Sequence, residues 1–461
     1  MKVLLVYPNI VESPKDISIG LALISAVLKK AGHEVALLDA SFGLKDEDVV
    51  KKVKDFNPGL VGVSAATNDL KYAISLAKLI KKNSNAPIVC GGYHTTVAAE
   101  DIIKEDCFDI AAIGEGEYSF LELADSLEKG KLDTSIKNMW FKQGKDVIKN
   151  PLRELNKELD KLPFPDRELF DYQRYINYNR GLATFLSTKG CPFQCTYCIN
   201  ATLMRMFGTK NYVRFRSVDN LLTEIKEVIT KYKAKEIEFY DDTFTLDKER
   251  IKEFCKKYPT EIGLPFYINA RVNTVDKDML IMLKKAGCVR ASIGIESGDP
   301  HIRNSVLKRN QTDEQIINTF RWSKEAGLET YSFNMIGIPF ETKESIKKTI
   351  ELNIKCNPDY VGVSIFNAFK GTELYEECKK NDWLNDEDST SYFQSSNIKH
   401  PNFGLMELKK IRDSFGFKVF KRTRPMRAYV DLFDKKFIKF PGYMFIRSKL
   451  IKSGIKRILK K

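Results

Sequence analysis

The first 130 residues alternate short apolar runs with amphipathic segments. Five runs are short and rich in β-branched residues, as strands buried on both faces of a parallel sheet are. These runs are residues 3–7, 34–38, 60–64, 87–90 and 110–113. Segments with helical periodicity lie between them, at residues 21–30, 70–82 and 118–127. The alternation predicts an α/β domain over residues 1–130, with a doubly wound sheet of the flavodoxin or Rossmann type.

A second series of the same kind occupies residues 181–385. Its predicted strands are residues 183–187, 236–240, 266–270, 291–295, 330–336 and 360–365. Its predicted helices are residues 218–232, 248–257, 277–285, 314–326 and 343–354. Six strands with intervening helices predict a partial (β/α)6 barrel. The chemistry of such barrels lies at the carboxyl ends of the strands.

The two series are separated by residues 131–180. Pro163 and Pro165 favour extended backbone there, so we expect an inter-domain linker. After residue 385 the alternation of strands and helices stops. Residues 386–461 are predicted to form a mostly helical, basic extension.

Positive charge is concentrated at the end of the chain. The formal net charge is +14, and residues 421–461 contribute +12 of it. The remaining 420 residues are nearly neutral, which disfavours a nucleic-acid-binding protein. Residues 443–461 have the pattern of a basic amphipathic helix. Such a helix either lies on an anionic membrane surface or is an ordinary solvated terminal helix.

The sequence has no signal-peptide pattern at its start and no apolar stretch of the ~18 residues that a membrane span needs. Its scattered, unpaired cysteines favour a reducing compartment. We therefore expect a cytoplasmic protein, peripheral at the inner face of the membrane if the basic tail binds lipid.

Three of the nine cysteines lie in one short loop, in the order C-x3-C-x2-C: Cys191, Cys195 and Cys198. Structural zinc and [4Fe–4S] clusters normally take four protein ligands. Three thiolates therefore indicate a metal centre with an open coordination position. Two alternatives remain: zinc completed by a remote ligand, or three unpaired thiols. The other six cysteines are single and apolar in context, as core residues are.

Small and polar residues follow the predicted strands of the first domain. The third strand leads into Ala65-Ala66-Thr67-Asn68, the fourth into Gly91-Gly92, and the fifth into Gly114-Glu115-Gly116. Paired glycines allow backbone to approach a bulky ligand closely, although plain turns use glycine too. No G-x-G-x-x-G follows the first strand, which argues against a dinucleotide site.

The cysteine loop, Gly190-Cys-Pro-Phe-Gln-Cys-Thr-Tyr-Cys198, resembles the cluster-binding motif of radical S-adenosylmethionine (SAM) enzymes. Downstream segments are similar to that family as well, namely residues 240–244, 292–298 and 336–342. The first domain resembles the cobalamin-binding domain of the B12-dependent branch, at residues 57–64, 91–96 and 113–117. The resemblance covers residues 1–385.

This resemblance implies a [4Fe–4S] cluster on the three cysteines, with SAM bound to the open iron. It implies that Tyr197 packs near the adenine and that Asp241 and Asp242 receive the SAM ammonium group. It places Arg271 and Glu296 near the SAM carboxylate and ribose. Helix capping is the alternative role for the two aspartates. An ion pair at the barrel end is the alternative for Arg271 and Glu296.

The resemblance also implies a cobalamin site. Its expected residues follow the third, fourth and fifth strands: Ser64, Thr67, Gly91, Gly92, Gly114, Glu115 and Gly116. Many cobalamin domains place a cobalt-binding histidine after the first strand, but residues 9–14 contain none. Cobalt would then be bound without a histidine lower ligand.

The implied function is C-methylation of an unactivated carbon. A 5′-deoxyadenosyl radical from SAM removes hydrogen, and cobalamin delivers the methyl group. The alternatives are a cyclase or rearranging enzyme with the same cofactors, a methylthiotransferase-like enzyme, and a non-catalytic cobalamin protein with a structural cluster. The expected partners are a small-molecule or lipid-linked substrate and an electron donor of the flavodoxin or ferredoxin type.

Overall fold

The computed structural model describes residues 1–10, 14, 16–385 and 395–429, which form an α/β protein. The chain divides into two compact units. The first contains residues 1–242, 257–265 and 369–377. The second contains residues 243–256, 266–368 and the described residues after 377.

The first unit contains a seven-stranded sheet in the order β2-β1-β3-β4-β5-β6-β7. Its five parallel strands are β1 (Lys2–Tyr7), β2 (Glu34–Asp39), β3 (Leu60–Ser64), β4 (Ile88–Gly91) and β5 (Ile110–Ala112). The predicted doubly wound sheet is confirmed, and each predicted strand lies within one residue of its observed bounds. The order reverses between β1 and β3, which is where ligands bind in open sheets of this kind.

Five helices accompany these strands: α1 (Ile19–Lys30), α2 (Asp46–Phe56), α3 (Leu70–Lys81), α4 (Tyr93–Ile102) and α5 (Glu117–Glu128). Helix α1 begins where the Ser18 hydroxyl accepts a hydrogen bond from the Leu21 N–H at 3.3 Å. The core between sheet and helices is aliphatic, with Leu4, Val61 and Val63 buried against Leu76 and Ile80 of α3. Burial of both sheet faces explains why these strands are continuous apolar runs.

The segment predicted as an extended linker carries ordered elements. Strands β6 (Met139–Gln143) and β7 (Asp146–Lys149) form an antiparallel hairpin at the edge of the first sheet. Gly144, with φ of 61°, lies in its turn. Helix α6 (Tyr172–Tyr178) follows. Before it, the buried Arg167 guanidinium donates to the Thr184 carbonyl at 2.9 Å, which fixes this segment against its neighbours.

The second series begins within the first unit. Strand β8 (Leu182–Phe185) leads into a ribbon of β9 (Thr188–Lys189) and β10 (Arg214–Phe215), with α7 (Ile199–Phe207) between the two ribbon strands. Helix α8 (Val218–Lys231) follows, and β11 (Glu236–Phe239) pairs with β8 in parallel. Ser217 caps α8 by accepting from the Asn220 N–H. The cysteine loop therefore lies between a short ribbon strand and a helix.

The second unit continues the series with parallel strands β12 (Phe266–Ala270), β13 (Cys288–Glu296), β14 (Glu329–Ile336) and β15 (Tyr360–Ile365). The remaining helices of the chain's described part are α9 (Lys248–Glu261), α10 (Lys277–Lys285), α11 (Asp313–Glu325), α12 (Lys343–Cys356), α13 (Glu373–Lys380) and α14 (Leu405–Thr423). The alternation predicted for a partial barrel is confirmed.

Helix α14 belongs to the second unit's core. Its Leu408, Phe415 and Phe420 side chains pack in one cluster with Ile336 and Ile365. This confirms helix in the first part of the predicted extension. The amphipathic segment 443–461 lies outside the described residues. Within the described ranges, no helix combines the length and the apolar character that a bilayer span requires.

Candidate active site

The three loop cysteines occupy one turn and the start of a helix. Cys195 is buried, whereas Cys191 and Cys198 are partly exposed. The Cys198 N–H donates to the Cys195 carbonyl at 3.1 Å, which closes the turn between them. Cys198 is also the residue at which α7 begins. The helix N-terminus adds a favourable potential for a negatively charged thiolate or cluster.

Cys198 has a polar partner that the sequence analysis did not single out. The Asn200 amide lies 3.8 Å from the Cys198 sulfur and accepts from the Tyr212 hydroxyl at 2.8 Å. Burial raises the pKa of the Cys198 thiol to about 12, and nearby Asp242, Cys195 and Cys191 raise it further. Burial and mutual repulsion disfavour three neighbouring thiolates unless a cationic metal centre binds them. This donor set therefore fits an iron–sulfur cluster.

The paired aspartates that follow β11 have different surroundings. Asp241 is fully buried and accepts from the Ser187 N–H at 3.1 Å and from the Ser187 hydroxyl at 2.8 Å. These hydrogen bonds connect the end of β11 with the residues that follow β8. Asp242 lies in a cavity wall, where burial raises its pKa and a hydrogen bond from Asn200 partly offsets that rise. Of the two, Asp242 is the carboxylate that a ligand in the cavity could reach.

Tyr197 is half-buried within the cysteine loop. It is not part of the cavity wall that includes Asp242. Its contact with an adenine stays a prediction.

Arg271 and Glu296 lie in the second unit, at the ends of β12 and β13. Both contact Arg309, which the sequence analysis did not single out. The Arg271 guanidinium donates to the Arg309 carbonyl. The Arg309 guanidinium lies 3.4 Å from the Glu296 carboxylate and donates to the Gly294 carbonyl at 2.7 Å. Glu296 has φ of 61°, an unfavourable conformation for a residue with a side chain, which is typical of functional strand ends.

A cavity of about 540 Å³ lies in the first unit, above the carboxyl ends of β1, β3, β4 and β5. Six of the seven residues predicted for cobalamin line it: Ser64, Gly91, Gly92, Gly114, Glu115 and Gly116. Thr67 does not; its hydroxyl lies 3.1 Å from Nδ1 of His94. Among the described residues that line this cavity there is no histidine.

Two glycines of this cavity cannot carry a side chain. Gly92 has φ of 101°, and a Cβ atom there would lie 2.7 Å from the Ala65 carbonyl oxygen. Gly114 has φ of 77°, and a Cβ atom there would collide with the Phe207 ring. Both positions therefore require glycine, because of the positive φ and because the neighbouring chain leaves no room for a Cβ atom.

Comparison with known proteins agrees with these features. The B12 binding domain family matches residues 15–124, and the radical SAM superfamily matches residues 185–352. An uncharacterized methyltransferase of Pyrococcus horikoshii is 32% identical over 394 residues, which cover 83% of this chain and 84% of that protein. The chain belongs to the cobalamin-dependent radical SAM enzymes.

Other relatives of this enzyme have different reactions in their names. The anaerobic magnesium-protoporphyrin IX monomethyl ester cyclase of Rubrivivax gelatinosus is 25% identical, covering 82% of this chain and 70% of that protein. The methyltransferase TsrM of Kitasatospora setae, solved with cobalamin and a [4Fe–4S] cluster, has a TM-score of 0.70 at 20% identity. That match covers 82% of this chain and 75% of TsrM. The cobalamin-dependent enzyme OxsB has a TM-score of 0.74 at 16% identity, covering 98% and 75%. The two structures establish the shared fold.

As a cobalamin-dependent radical SAM enzyme, the protein uses a [4Fe–4S] cluster, SAM and cobalamin. Cluster and SAM together supply a 5′-deoxyadenosyl radical, which can remove hydrogen from an unactivated carbon. Cys191, Cys195 and Cys198 are the residues that would hold the cluster. The glycine loops after β4 and β5 are the segments that would hold cobalamin.

Within the first unit, four charged side chains connect the loop after β5 with the ribbon strands β9 and β10, which lie before and after the cysteine loop in sequence. Arg214 of β10 binds both Glu115 oxygens, at 2.8 and 2.9 Å. Lys189 of β9 lies 2.6 Å from Glu117 and 3.3 Å from Glu115. Burial alone would raise the pKa of Glu115, but the two cations hold it below its usual range. We call Glu115, Glu117, Lys189 and Arg214 the charge tetrad.

The charge tetrad explains an unusual strand pairing. Lys189 and Arg214 are directly opposite each other in the ribbon, and like charges in that position are destabilising. The two glutamates of the loop after β5 compensate them. Lys189 is two residues before Cys191, so the tetrad links the loop after β5 to the strand that enters the cysteine loop.

Proposed function

We propose that this enzyme is a C-methyltransferase that acts on an unactivated carbon. One observation carries the proposal. The 540 Å³ cavity of the first unit is lined both by Gly91, Gly92 and Gly114 and by Asp242 and Gly190, the residue before Cys191. A methyl donor and a radical source that opened onto one water-excluding cavity could reach the same substrate atom.

In this proposal each cavity wall has a separate task. Asp242 receives the ammonium group of SAM, which suits a carboxylate that burial has left poorly solvated. The glycine loops fix the plane of the cobalamin ring. The charge tetrad keeps these two walls at a constant separation. Arg271 and Glu296 form a second polar group with Arg309 within the second unit, and their contact with the SAM carboxylate and ribose stays a prediction of the resemblance.

The first experiment tests radical chemistry. Protein purified without oxygen, loaded with iron, sulfide and cobalamin, and reduced with dithionite should release 5′-deoxyadenosine from SAM. Cys195→Ala should abolish that release because one iron loses its ligand. The buried Cys288→Ala, far from the loop in sequence, serves as the matched cysteine control and should retain it. Loaded wild-type protein that forms no 5′-deoxyadenosine would favour a cobalamin protein with a merely structural cluster.

A cyclase is the second candidate, because a relative that covers 82% of the chain is named as one. SAM carrying an isotopically labelled methyl group separates the two. A methyltransferase transfers label to cobalamin and then to product, whereas a cyclase forms 5′-deoxyadenosine without moving label. A methylthiotransferase is disfavoured because only Cys90 and Cys107 precede the loop, so the sequence has no second cysteine triplet there.

The proposed partners follow from the same chemistry. The substrate is a small or lipid-linked molecule, and a reduced flavodoxin or ferredoxin supplies electrons. Membrane contact through residues 421–461 rests on their charge alone. Flotation with anionic vesicles should be stronger for the full chain than for a 1–420 truncation. Equal flotation would remove the lipid hypothesis.

A further inference from the structure

Asp16 is an acidic residue of the cavity that neither the cluster nor the SAM assignment uses. It lies between β1 and α1, two residues before the Ser18 cap. The cavity wall includes Asp16 together with Tyr7, at the end of β1, and Gly20, in the first turn of α1. Because the sheet order reverses between β1 and β3, the end of β1 lies at the expected ligand-binding edge.

The Asp16 carboxyl group is held through one of its two oxygens. Oδ1 accepts from the Ile17 N–H at 2.9 Å and from the Thr184 hydroxyl. The Tyr7 hydroxyl donates to the Asp16 carbonyl at 3.5 Å, which steadies the backbone. Oδ2 has no hydrogen bond to any described residue. The group is therefore oriented, and one acceptor remains for a ligand in the cavity.

Among the described residues, no cation forms an ion pair with Asp16. Enclosure in the protein raises its pKa to about 7, although Thr184, Ile17 and the positive charge of Arg167 act in the opposite direction. Glu238 raises it further. Arg167 is itself paired with Glu224. The two cationic side chains of the cavity wall, Lys189 and Arg214, belong to the charge tetrad.

A poorly compensated carboxyl group in such a place costs stability, and a cost of this kind is typical of functional sites. The cavity already contains the glycine loops expected to cradle cobalamin. The corrin ring of cobalamin carries primary carboxamides around its edge, and each offers an N–H donor. We propose that Asp16 recognises the corrinoid, its Oδ2 accepting a hydrogen bond from one of these carboxamides.

In this assignment Asp16 has a role in cobalamin binding although residues 9–14 contain no histidine. Thr184 is a positioning residue, because its hydroxyl holds the Asp16 carboxyl in the orientation that leaves Oδ2 to the cavity. The inference rests on cobalamin as a cofactor and not on methyl transfer. It therefore stands or falls separately from the proposed reaction.

The test measures binding of hydroxocobalamin to the full-length, cluster-loaded protein without SAM or substrate. Absorbance titration gives the dissociation constant, and gel filtration gives the corrinoid retained. Asp16→Ala should weaken binding roughly tenfold, the equivalent of one lost hydrogen bond to a charged or polar partner. Thr184→Val, which keeps the shape of the side chain, should weaken it by about threefold because the carboxyl group loses its orientation.

Asp16→Asn separates the chemical class of the ligand. Its oxygen can still accept from Ile17 and Thr184, which leaves the NH2 group for the cavity. A carboxamide can turn and present its carbonyl, so binding should stay within about threefold of wild type. Cobinamide, which keeps the corrin carboxamides and lacks the nucleotide, should show the same ranking of variants. Asp55→Ala, at an exposed position of α2, is the control and should bind as wild type does.

Two results would overturn the proposal. In the first, folded Asp16→Ala protein binds hydroxocobalamin as tightly as wild type, which would leave Asp16 to another ligand. In the second, Asp16→Asn loses as much affinity as Asp16→Ala, which would mean that the ligand offers only donors and is not a carboxamide. Asp16→Ser provides a second small variant, so a folding failure of Asp16→Ala does not prevent the measurement.

Discussion

Two loops of this protein follow a parallel strand, and each contains a glycine and then a glutamate. The two glutamates have opposite surroundings. After β5, Glu115 lies in the cavity wall and is paired with Arg214 and Lys189. After β14, Glu341 is fully buried and accepts from the Gly337 N–H at 2.7 Å and the Ile338 N–H at 3.3 Å. No cation pairs with Glu341 among the described residues.

The difference is visible in the pKa values. The cations hold the pKa of Glu115 below its usual range, whereas burial raises the pKa of Glu341 to about 8 despite its two backbone donors. Glu341 Oε1 has no hydrogen-bond partner among the described residues. The first glutamate is a charge that fixes two walls of a cavity. The second is a buried carboxyl group with a raised pKa that accepts from two backbone N–H groups of one turn.

The largest effect is expected from the charge tetrad. Arg214→Met removes the residue that binds both Glu115 oxygens, and leaves the half-buried Glu115 and the buried Glu117 with Lys189 alone. Unfolding free energy should fall by about 3 kcal/mol, measured by urea denaturation. Retained cobalamin and iron should both fall, because the two loops lose their link.

A charge exchange is the control for that variant. Arg214→Glu with Glu115→Arg restores opposite charges and should recover part of both the stability and the cofactor content. If the double variant loses as much stability and cofactor as Arg214→Met does, Arg214 acts through packing and not through its charge.

A smaller loss is expected at the second loop. Glu341→Ala leaves the Gly337 and Ile338 N–H groups without their acceptor and should cost about 2 kcal/mol of unfolding free energy. Glu341→Gln keeps an acceptor and should cost much less. Cobalamin and iron content should stay at the wild-type level in the glutamine variant, in contrast to the tetrad variant.

The pH dependence of this loop has a definite sign. A carboxyl group whose pKa is raised on folding stabilises the folded state at low pH, and that contribution is lost as pH rises from about 4.5 to about 8. The wild-type urea midpoint should therefore fall relative to Glu341→Gln between pH 6 and pH 8.5. Parallel midpoints for the two proteins would contradict a neutral Glu341.

Asp16 should resemble Glu341 in the pH dependence of stability, because burial raises the pKa of both carboxyl groups. It resembles Glu115 in position, because both residues line the cavity. Its pKa is raised from 3.8 to about 7, so the stability that the protonated group contributes is lost as pH rises from about 4 to about 7. Asp16→Asn should raise the thermal midpoint at pH 8 by a few degrees relative to wild type and have little effect at pH 4. A calorimetric comparison at the two pH values checks this, and a lower midpoint at pH 8 would contradict it.

The smallest effect is expected from an ion pair on the surface. Lys231 and Glu168 form such a pair, with side chains 51% and 66% exposed. Glu168→Gln should change unfolding free energy by less than about 1 kcal/mol, because solvent screens exposed charges. A loss as large as that of Arg214→Met would mean that burial does not explain how much the charge tetrad contributes to the unfolding free energy.

Much of the fold was readable from residue order. Strand positions followed from apolar runs, because strands covered on both faces admit few polar residues. The hairpin of β6 and β7 was missed because it lies at a sheet edge, where one face is solvated and the apolar pattern is weaker. Pro163 and Pro165 favour extended backbone, and on that basis the whole segment 131–180 was predicted to be a linker.

The candidate site was readable only in part. The cysteine spacing and the glycine loops are local patterns, and local patterns survive in the sequence. Asp241 and Asp242 are adjacent in sequence, and only the fold shows that the first binds Ser187 while the second lies in the cavity. Asn200 and Arg309 carry no recognisable motif, since each acts through neighbours that the chain brings together.

The sequence by itself determined the class of chemistry, because three cysteines in one loop and six βα repeats are set by spacing along the chain. The tertiary structure alone decided which charges balance one another. Lys189 and Arg214 are 25 positions apart and meet Glu115 only because the ribbon lies against the loop after β5. Asp16 and Glu341 differ from the tetrad glutamates because no described cation pairs with them. Electrostatic energy depends on distances through space and on enclosure from water, and the order of residues records neither.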